Sequence, residues 1–215
     1  MSESDAIDRN PQGPHTVDSL SRDLGRLGIT AGMVVIVHSS LSSIGWVCGG
    51  GVGVVLALER VLGSEGTLVM PTHSGDLSDP ATWENPPVPQ SWWESIRDSM
   101  PAYDPFMTPT RGVGAIPEVF RRQSGVTRSM HPTYSFAAWG RESAYVTAGE
   151  KLDSAMDVDS PLGRLRELDG HVLLLGVGHA IEISTSTAET SKRSGLPSKR
   201  GAPAGSAESA TRPRS

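Results

Sequence analysis

The sequence predicts an α/β layered fold with a largely parallel or mixed sheet, and two observations carry that prediction. An apolar run, Val-Val-Ile-Val at 34–37, feeds a Ser/Gly-rich loop and then a helical pattern at 52–62. Apolar runs and segments of helical spacing then alternate, down to Val-Leu-Leu-Leu-Gly-Val-Gly at 172–178.

Each element has a local reason. Residues 16–27 place Leu20, Leu24 and Leu27 at helical spacing, with Thr16 as N-cap and Gly28 as the stop. Residues 34–37 read as a buried strand, 52–62 as a helix ending at Gly63, and 67–70 as a strand ending at Pro71. The proline-rich stretch 72–113 lacks periodicity and reads as a long, ligand-sized loop. A helix is expected at 115–123, with Pro117 near its first turn. Short strands follow at 126–128 and 135–139, then a helix at 162–168 and a fully buried last strand within 171–178.

Composition narrows the class. One cysteine, Cys48, rules out an internal disulfide and a thiolate metal site, and fits a reducing, cytoplasmic setting. The acidic N-terminus does not read as a signal peptide, and no apolar run approaches the ~18 residues of a membrane helix. A net charge of −5 argues against nucleic-acid binding and suits a cationic small substrate. After Ile183, the only large aliphatic residue is Leu196. The chain therefore divides into a body, 1–182, and a tail, 183–215, expected to be disordered because it buries too little to offset its ordering entropy.

The Ser/Gly-rich loop after the first strand offers backbone N–H groups and hydroxyls at a helix start. That suits an anionic or amide-rich ligand such as a nucleotide or pantetheine; a plain tight turn is the alternative. His38 closes the first strand, either as a hydrogen-bonding structural residue or as a catalytic one. His73 lies beyond a strand C-terminus, where open α/β sheets place ligands. His15 reads as exposed and inert, His171 as structural, and His179 follows the last strand. No His-x-x-x-His, Walker A, Gly-x-Ser-x-Gly or strand-linked Gly-x-Gly-x-x-Gly pattern is present, and no metal is expected. Within 72–113, carboxylates and aromatics interleave, including Asp76, Trp92, Glu94, Tyr103 and Asp104. They suit either an amine-rich or sugar ligand or a solvated lid.

Six blocks then carry a resemblance. They are His-Ser-Ser-Leu-Ser-Ser-Ile-Gly at 38–45 with Gly49 and Gly50, Pro-Thr-His at 71–73, and Pro-Thr-Arg-Gly-Val-Gly-Ala-Ile-Pro at 109–117. The others are Arg-Ser-Met-His-Pro-Thr-Tyr-Ser-Phe-Ala-Ala-Trp-Gly at 128–140, Asp-Ser-Pro-Leu-Gly at 159–163 and Leu-Leu-Leu-Gly-Val-Gly-His at 173–179. In this order the sequence resembles the aminoglycoside 3-N-acetyltransferase family over about residues 17–180. The resemblance implies a three-layer α/β/α fold with a mixed central sheet. It also implies acetyl transfer from acetyl-CoA to the 3-amino group of an aminoglycoside.

Site assignments follow from the same resemblance. His38, Ser39, Ser40, Leu41, Ser42, Gly49, Gly50, Gly112, Val113 and Gly114 are expected to hold acetyl-CoA, with backbone N–H groups near Ser39 or Ser40 facing the oxyanion. His73, Asp76, Trp92, Glu94, Tyr103 and Asp104 are expected to meet the aminoglycoside. The family continues after Gly-Val-Gly-His with a segment resembling Asn-Thr-Ser-Leu-His-Leu-Ala-Glu, whose His acts as general base. Here the matching position is Ser186, although Ala188 and Glu189 remain. His131 and Glu189 are therefore the catalytic candidates, and a family member truncated or frameshifted after about residue 180 is expected. An inactive homologue retaining only cofactor binding, and an acyltransferase for another small amine, stand as alternatives.

Overall fold

Strand β1 (Val34–Ser39) lies inside a five-stranded sheet of order β3-β4-β2-β1-β5. The computed structural model describes residues 3–149, 152 and 157–178. The expected tail, with His179, Ser186 and Glu189, lies outside the described residues. β1 pairs in parallel with β2 (Thr67–Pro71) and β5 (His171–Leu175), in registers Val35↔Leu68 and Val35↔His171. β4 (Phe136–Gly140) runs antiparallel to β2, and β3 (Thr127–Arg128) antiparallel to β4, so the sheet is mixed.

The two-residue side-chain period of the strands divides the core between two faces. Val35, Val37, Leu68, Met70 and Ala137 face one side. Ile36, Val69, Phe136 and Ala138 face the other. The first face is covered by α2 (Val17–Arg26), α4 (Gly50–Leu62) and α6 (Ala115–Phe120) through Leu20, Leu24, Val54, Leu58, Ile116 and Phe120. The second is covered by α7 (Ser143–Thr147) and α8 (Pro161–Glu167) through Val146, Leu162 and Leu165. This is the three-layer α/β/α arrangement.

The local signals at helix ends hold. Thr16 caps α2 in a reciprocal capping box with Ser19, and Gly28 follows at φ 95°. Ser160 caps α8 with Pro161 in its first turn. α4 starts earlier than its periodicity indicated, at Gly50. Gly53 is required there, because a Cβ would sit 2.4 Å from the Cys48 carbonyl oxygen.

Several expectations need correction. Leu27 is exposed and ends α2 rather than entering the core. β5 is an edge strand among the described residues, and its side chains are only partly buried. The 72–113 stretch is not structureless: it holds three single 3₁₀ turns and α5 (Trp93–Ser99). No α5 residue is buried, so it shows no apolar period to read. Two other short helices, α1 (Glu3–Asp8) and α3 (Leu41–Ile44), went unanticipated for the same reason; α7 did too, because its five residues, with Val146 and Thr147 buried, are too short to show a helical period.

Candidate active site

β1, β2 and β5 all end at one edge of the sheet, and the chain opens a cavity of about 870 Å³ there. Ligands gather at this edge of α/β sheets because the strands end there and the loops diverge. All ten cofactor candidates line it: His38, Ser39, Ser40, Leu41, Ser42, Gly49, Gly50, Gly112, Val113 and Gly114. His73 and Pro71 come in from the end of β2.

The loop is shaped by its own hydroxyls and by the N-terminal arm. Ser40 Oγ lies 3.2 Å from Ser42 Oγ and 3.0 Å from Ser43 Oγ. The Ser40 N–H donates to the Leu175 carbonyl at 3.0 Å. That N–H is spent on the sheet, which corrects the oxyanion role expected of it. Asn10 Oδ1 accepts the Trp46 N–H at 2.7 Å, and a Cβ at Gly45 would collide with that oxygen. His15 donates its N–H to the Trp46 carbonyl and accepts from the Cys48 N–H, so its backbone is a working part of the loop rather than inert. Gly49 and Gly50 take φ of 78° and 56° to turn into α4. Gly114 takes a φ of 88°, and a Cβ there would rest in ordinary contact, 3.5 Å from the Ser39 carbonyl oxygen.

The cavity is electrically neutral. Among the described residues that line it, none bears a carboxylate, an ammonium or a guanidinium. His38 is 6% exposed, and burial lowers its pKa. Burial chiefly, then repulsion from His38, His131 and Arg128, lowers His73 to about 4. Its ring is packed edge-on against Tyr134 and Phe136, with centroids 5.6 and 5.2 Å away. His38 Nε2, His73 Nδ1 and Ser39 Oγ are buried without a hydrogen-bond partner among the described residues.

The substrate candidates are not brought together. His73 lines the first cavity. Asp76 and Asp104 line a second, of about 720 Å³, beside Trp83, Ile96 and Met100. Trp92, Glu94 and Tyr103 line neither. Asp76 is paired with Arg111. One Asp104 oxygen accepts the Phe106 and Met107 N–H groups at 2.8 and 2.7 Å. Tyr103 donates its hydroxyl to the Ser129 carbonyl and lies under the Arg128 guanidinium.

His131 is 5% exposed and does not line the cavity. Its Nδ1 accepts from the Thr133 and Tyr134 N–H groups at 3.1 and 3.0 Å, and Nε2 faces the Leu152 carbonyl at 3.3 Å. Both ring nitrogens hold the loop before β4.

Two arginines not singled out as site residues, Arg121 and Arg128, organise the lid. Arg121, whose side chain is 2% exposed, pairs with Glu118 and donates to the Phe106 carbonyl at 2.7 Å. Glu118 also accepts from the Thr110 N–H and hydroxyl. Burial works against the Glu118 charge, but Arg121 and Thr110 outweigh it and hold the pKa at about 2. Glu118 and Arg121 do stand at the i,i+3 spacing of a helical ion pair, a signal available in the sequence, whereas the partners of Arg128 are distant in the chain. Among the described residues, no group of three or more His, Cys, Asp or Glu is placed to hold a metal ion. No described helix is long and apolar enough to cross a membrane.

The same architecture occurs in known proteins. The chain is 52% identical over 164 residues to the SPbeta prophage-derived aminoglycoside N(3')-acetyltransferase-like protein YokD of Bacillus subtilis (strain 168), covering 76% of this chain and 60% of that one. The YokD crystal structure superposes with a TM-score of 0.74, over 75% of this chain and 64% of that one. AAC-IIIb, solved as a binary complex with CoASH, is 30% identical with a TM-score of 0.66, over 75% and 59% of the two chains. AAC-VIa, solved with sisomicin, is 31% identical with a TM-score of 0.68, over 77% and 61%. The chain thus spans about three-fifths of the length of these relatives. The family model for aminoglycoside 3-N-acetyltransferase matches residues 36–204, and this chain belongs to that family.

Proposed function

We propose that this chain binds acetyl-CoA in the 870 Å³ cavity and transfers its acetyl group to the 3-amino group of an aminoglycoside in the cytoplasm. The observation that carries the reading is the convergence of all ten cofactor candidates on that one cavity. A neutral wall of hydroxyls, glycines and uncharged imidazoles fits the amide-rich pantetheine arm. α4 begins at the cavity edge, where Gly49 and Gly50 line it, and the positive end of its dipole suits the diphosphate, while the Gly50 N–H itself is spent on the Val47 carbonyl at 2.9 Å.

The amine attacks the thioester carbonyl directly. Asp104, and Asp76 where a ligand ammonium displaces Arg111, are the carboxylates we assign to the polycation, in the second cavity. The general base of the family is a histidine, and the corresponding position here is Ser186, with Glu189 three residues on. That substitution favours a second reading, cofactor binding without turnover.

One experiment separates the readings. Calorimetric titration of the full chain with acetyl-CoA tests the cavity, and thiol release with sisomicin present tests transfer. Binding with release supports the enzyme; binding without release supports the second reading. Absence of binding rejects both.

A further inference from the structure

We propose that His38 and His73 form the acyl subsite of the cavity, donating from His38 Nδ1–H and His73 Nε2–H to the thioester carbonyl oxygen of acetyl-CoA. The inference rests on the cofactor reading above and assigns a chemical role to two side chains within it.

The argument starts from the inward sides of the rings. His38 Nε2 and His73 Nδ1 are buried and have no hydrogen-bond partner among the described residues. A neutral imidazole has one N–H donor and one bare acceptor nitrogen. Leaving a donor unpaired in the interior is rarer than leaving an acceptor under-used. Burial therefore favours the bare nitrogen inside on each ring. That places the proton on the opposite nitrogen, His38 Nδ1 and His73 Nε2. Both residues line the cavity, which is where the protonated nitrogens find their acceptor.

The ligand class follows from charge. The described lining has no carboxylate, so it does not suit an ammonium group. Two neutral donors converging on one cavity match an oxygen that takes on negative charge during reaction. The low basicity of His73, with a pKa of about 4, keeps it a neutral donor rather than a proton acceptor at pH 7. The Ser40 N–H is already committed to the Leu175 carbonyl and does not supply this donor. In the reaction, the amine nitrogen forms the C–N bond while the carbonyl oxygen takes the displaced electron pair. The oxygen returns that pair as the C–S bond breaks. The proton leaving the amine balances the departing coenzyme A thiolate, and both imidazoles keep their own protons.

The test uses side-chain isosteres. Asn presents its amide where Nδ1 stood, and Gln where Nε2 stood. The full chain and four variants, H38N, H38Q, H73N and H73Q, are titrated with acetyl-CoA and with CoA. The infrared carbonyl stretch of bound [1-13C]acetyl-CoA is then recorded. The stretch is expected to move to lower frequency in the unsubstituted chain, H38N and H73Q. In H38Q and H73N that shift is expected to be lost, together with about tenfold of the preference for acetyl-CoA over CoA. Bound acetyl-CoA with an unshifted carbonyl, or with the same shift in all four variants, overturns the acyl subsite and leaves the cofactor reading standing. Failure of the folded, unsubstituted chain to bind either ligand overturns both.

Discussion

Arg128 Nη1 donates to the Thr108 carbonyl oxygen at 2.6 Å, joining β3 to the segment that leads into Gly112–Gly114. The same guanidinium reaches the Pro105 carbonyl at 3.1 Å and the Thr72 carbonyl at 2.7 Å, while Nε contacts the hydroxyls of Thr72 and Ser135. One planar fork thus ties the end of β2, the lid and β4 together. A lysine ammonium cannot reproduce those directions. Arg128→Lys is expected to destabilise the fold by about 2–4 kcal/mol, since several buried acceptors lose their donor together. Urea unfolding midpoints of the two proteins check this; an unchanged midpoint would show that the fork contributes nothing.

Acid should weaken the fold through His73. Its unfolded imidazole titrates near 6.5 and its folded one near 4. The unfolded chain therefore binds more protons between those values, and stability falls as the pH drops from 6.5 towards 4. The loss is at most about 3 kcal/mol. Unfolding midpoints at pH 7, 6 and 5 should decline less steeply in His73→Gln. Parallel slopes in the two proteins would remove His73 as the source.

Two glycines of α4 should behave oppositely. A Cβ at Gly53 meets the Cys48 carbonyl oxygen at 2.4 Å, so Gly53→Ala should lower stability by about 1–3 kcal/mol. Gly50 has open space around its Cα position and a φ of 56°, a conformation asparagine tolerates. Gly50→Asn should fold but bind acetyl-CoA about tenfold more weakly, because its side chain enters the cavity edge. Melting curves and calorimetry on both variants decide the matter.

His131 should act as a loop anchor. Asn keeps an acceptor near the position of Nδ1, so His131→Asn should retain both the melting temperature and acetyl-CoA affinity. His131→Ala strands the Thr133 and Tyr134 N–H groups and should cost about 1–3 kcal/mol. Where the chain turns over substrate, His131→Asn should remain active. A folded but inactive His131→Asn protein would instead restore the catalytic role expected from the sequence.

The elements that were legible in the sequence are those whose side chains see the core. β1, β2, α2 and α4 announce themselves because Val35, Leu68, Leu24 and Leu58 recur at strand or helix periods. α5 has no buried residue, so its formation leaves no apolar trace. The Ser/Gly turn between β1 and α4 was legible because glycines and serines are constrained by short-range geometry; its cofactor role is the proposal made above. The pairing of Asp76 was not legible, because Arg111 is 35 residues away in the chain, whereas Asp104 accepts the N–H groups two and three residues on, a local turn overlooked in the sequence. The role of Arg128 likewise comes from contacts far apart in the chain, such as that with Thr72.

The hydrogen bonds between Asn10, His15 and residues 46–48 make the segment 10–15 a clasp across the Ser/Gly loop. A recombinant fragment cut to begin at α2 would keep every core residue named above. It would nonetheless lose three of the bonds that hold the cavity wall in register. A stable fold and a competent binding wall therefore have different minimal boundaries in this chain.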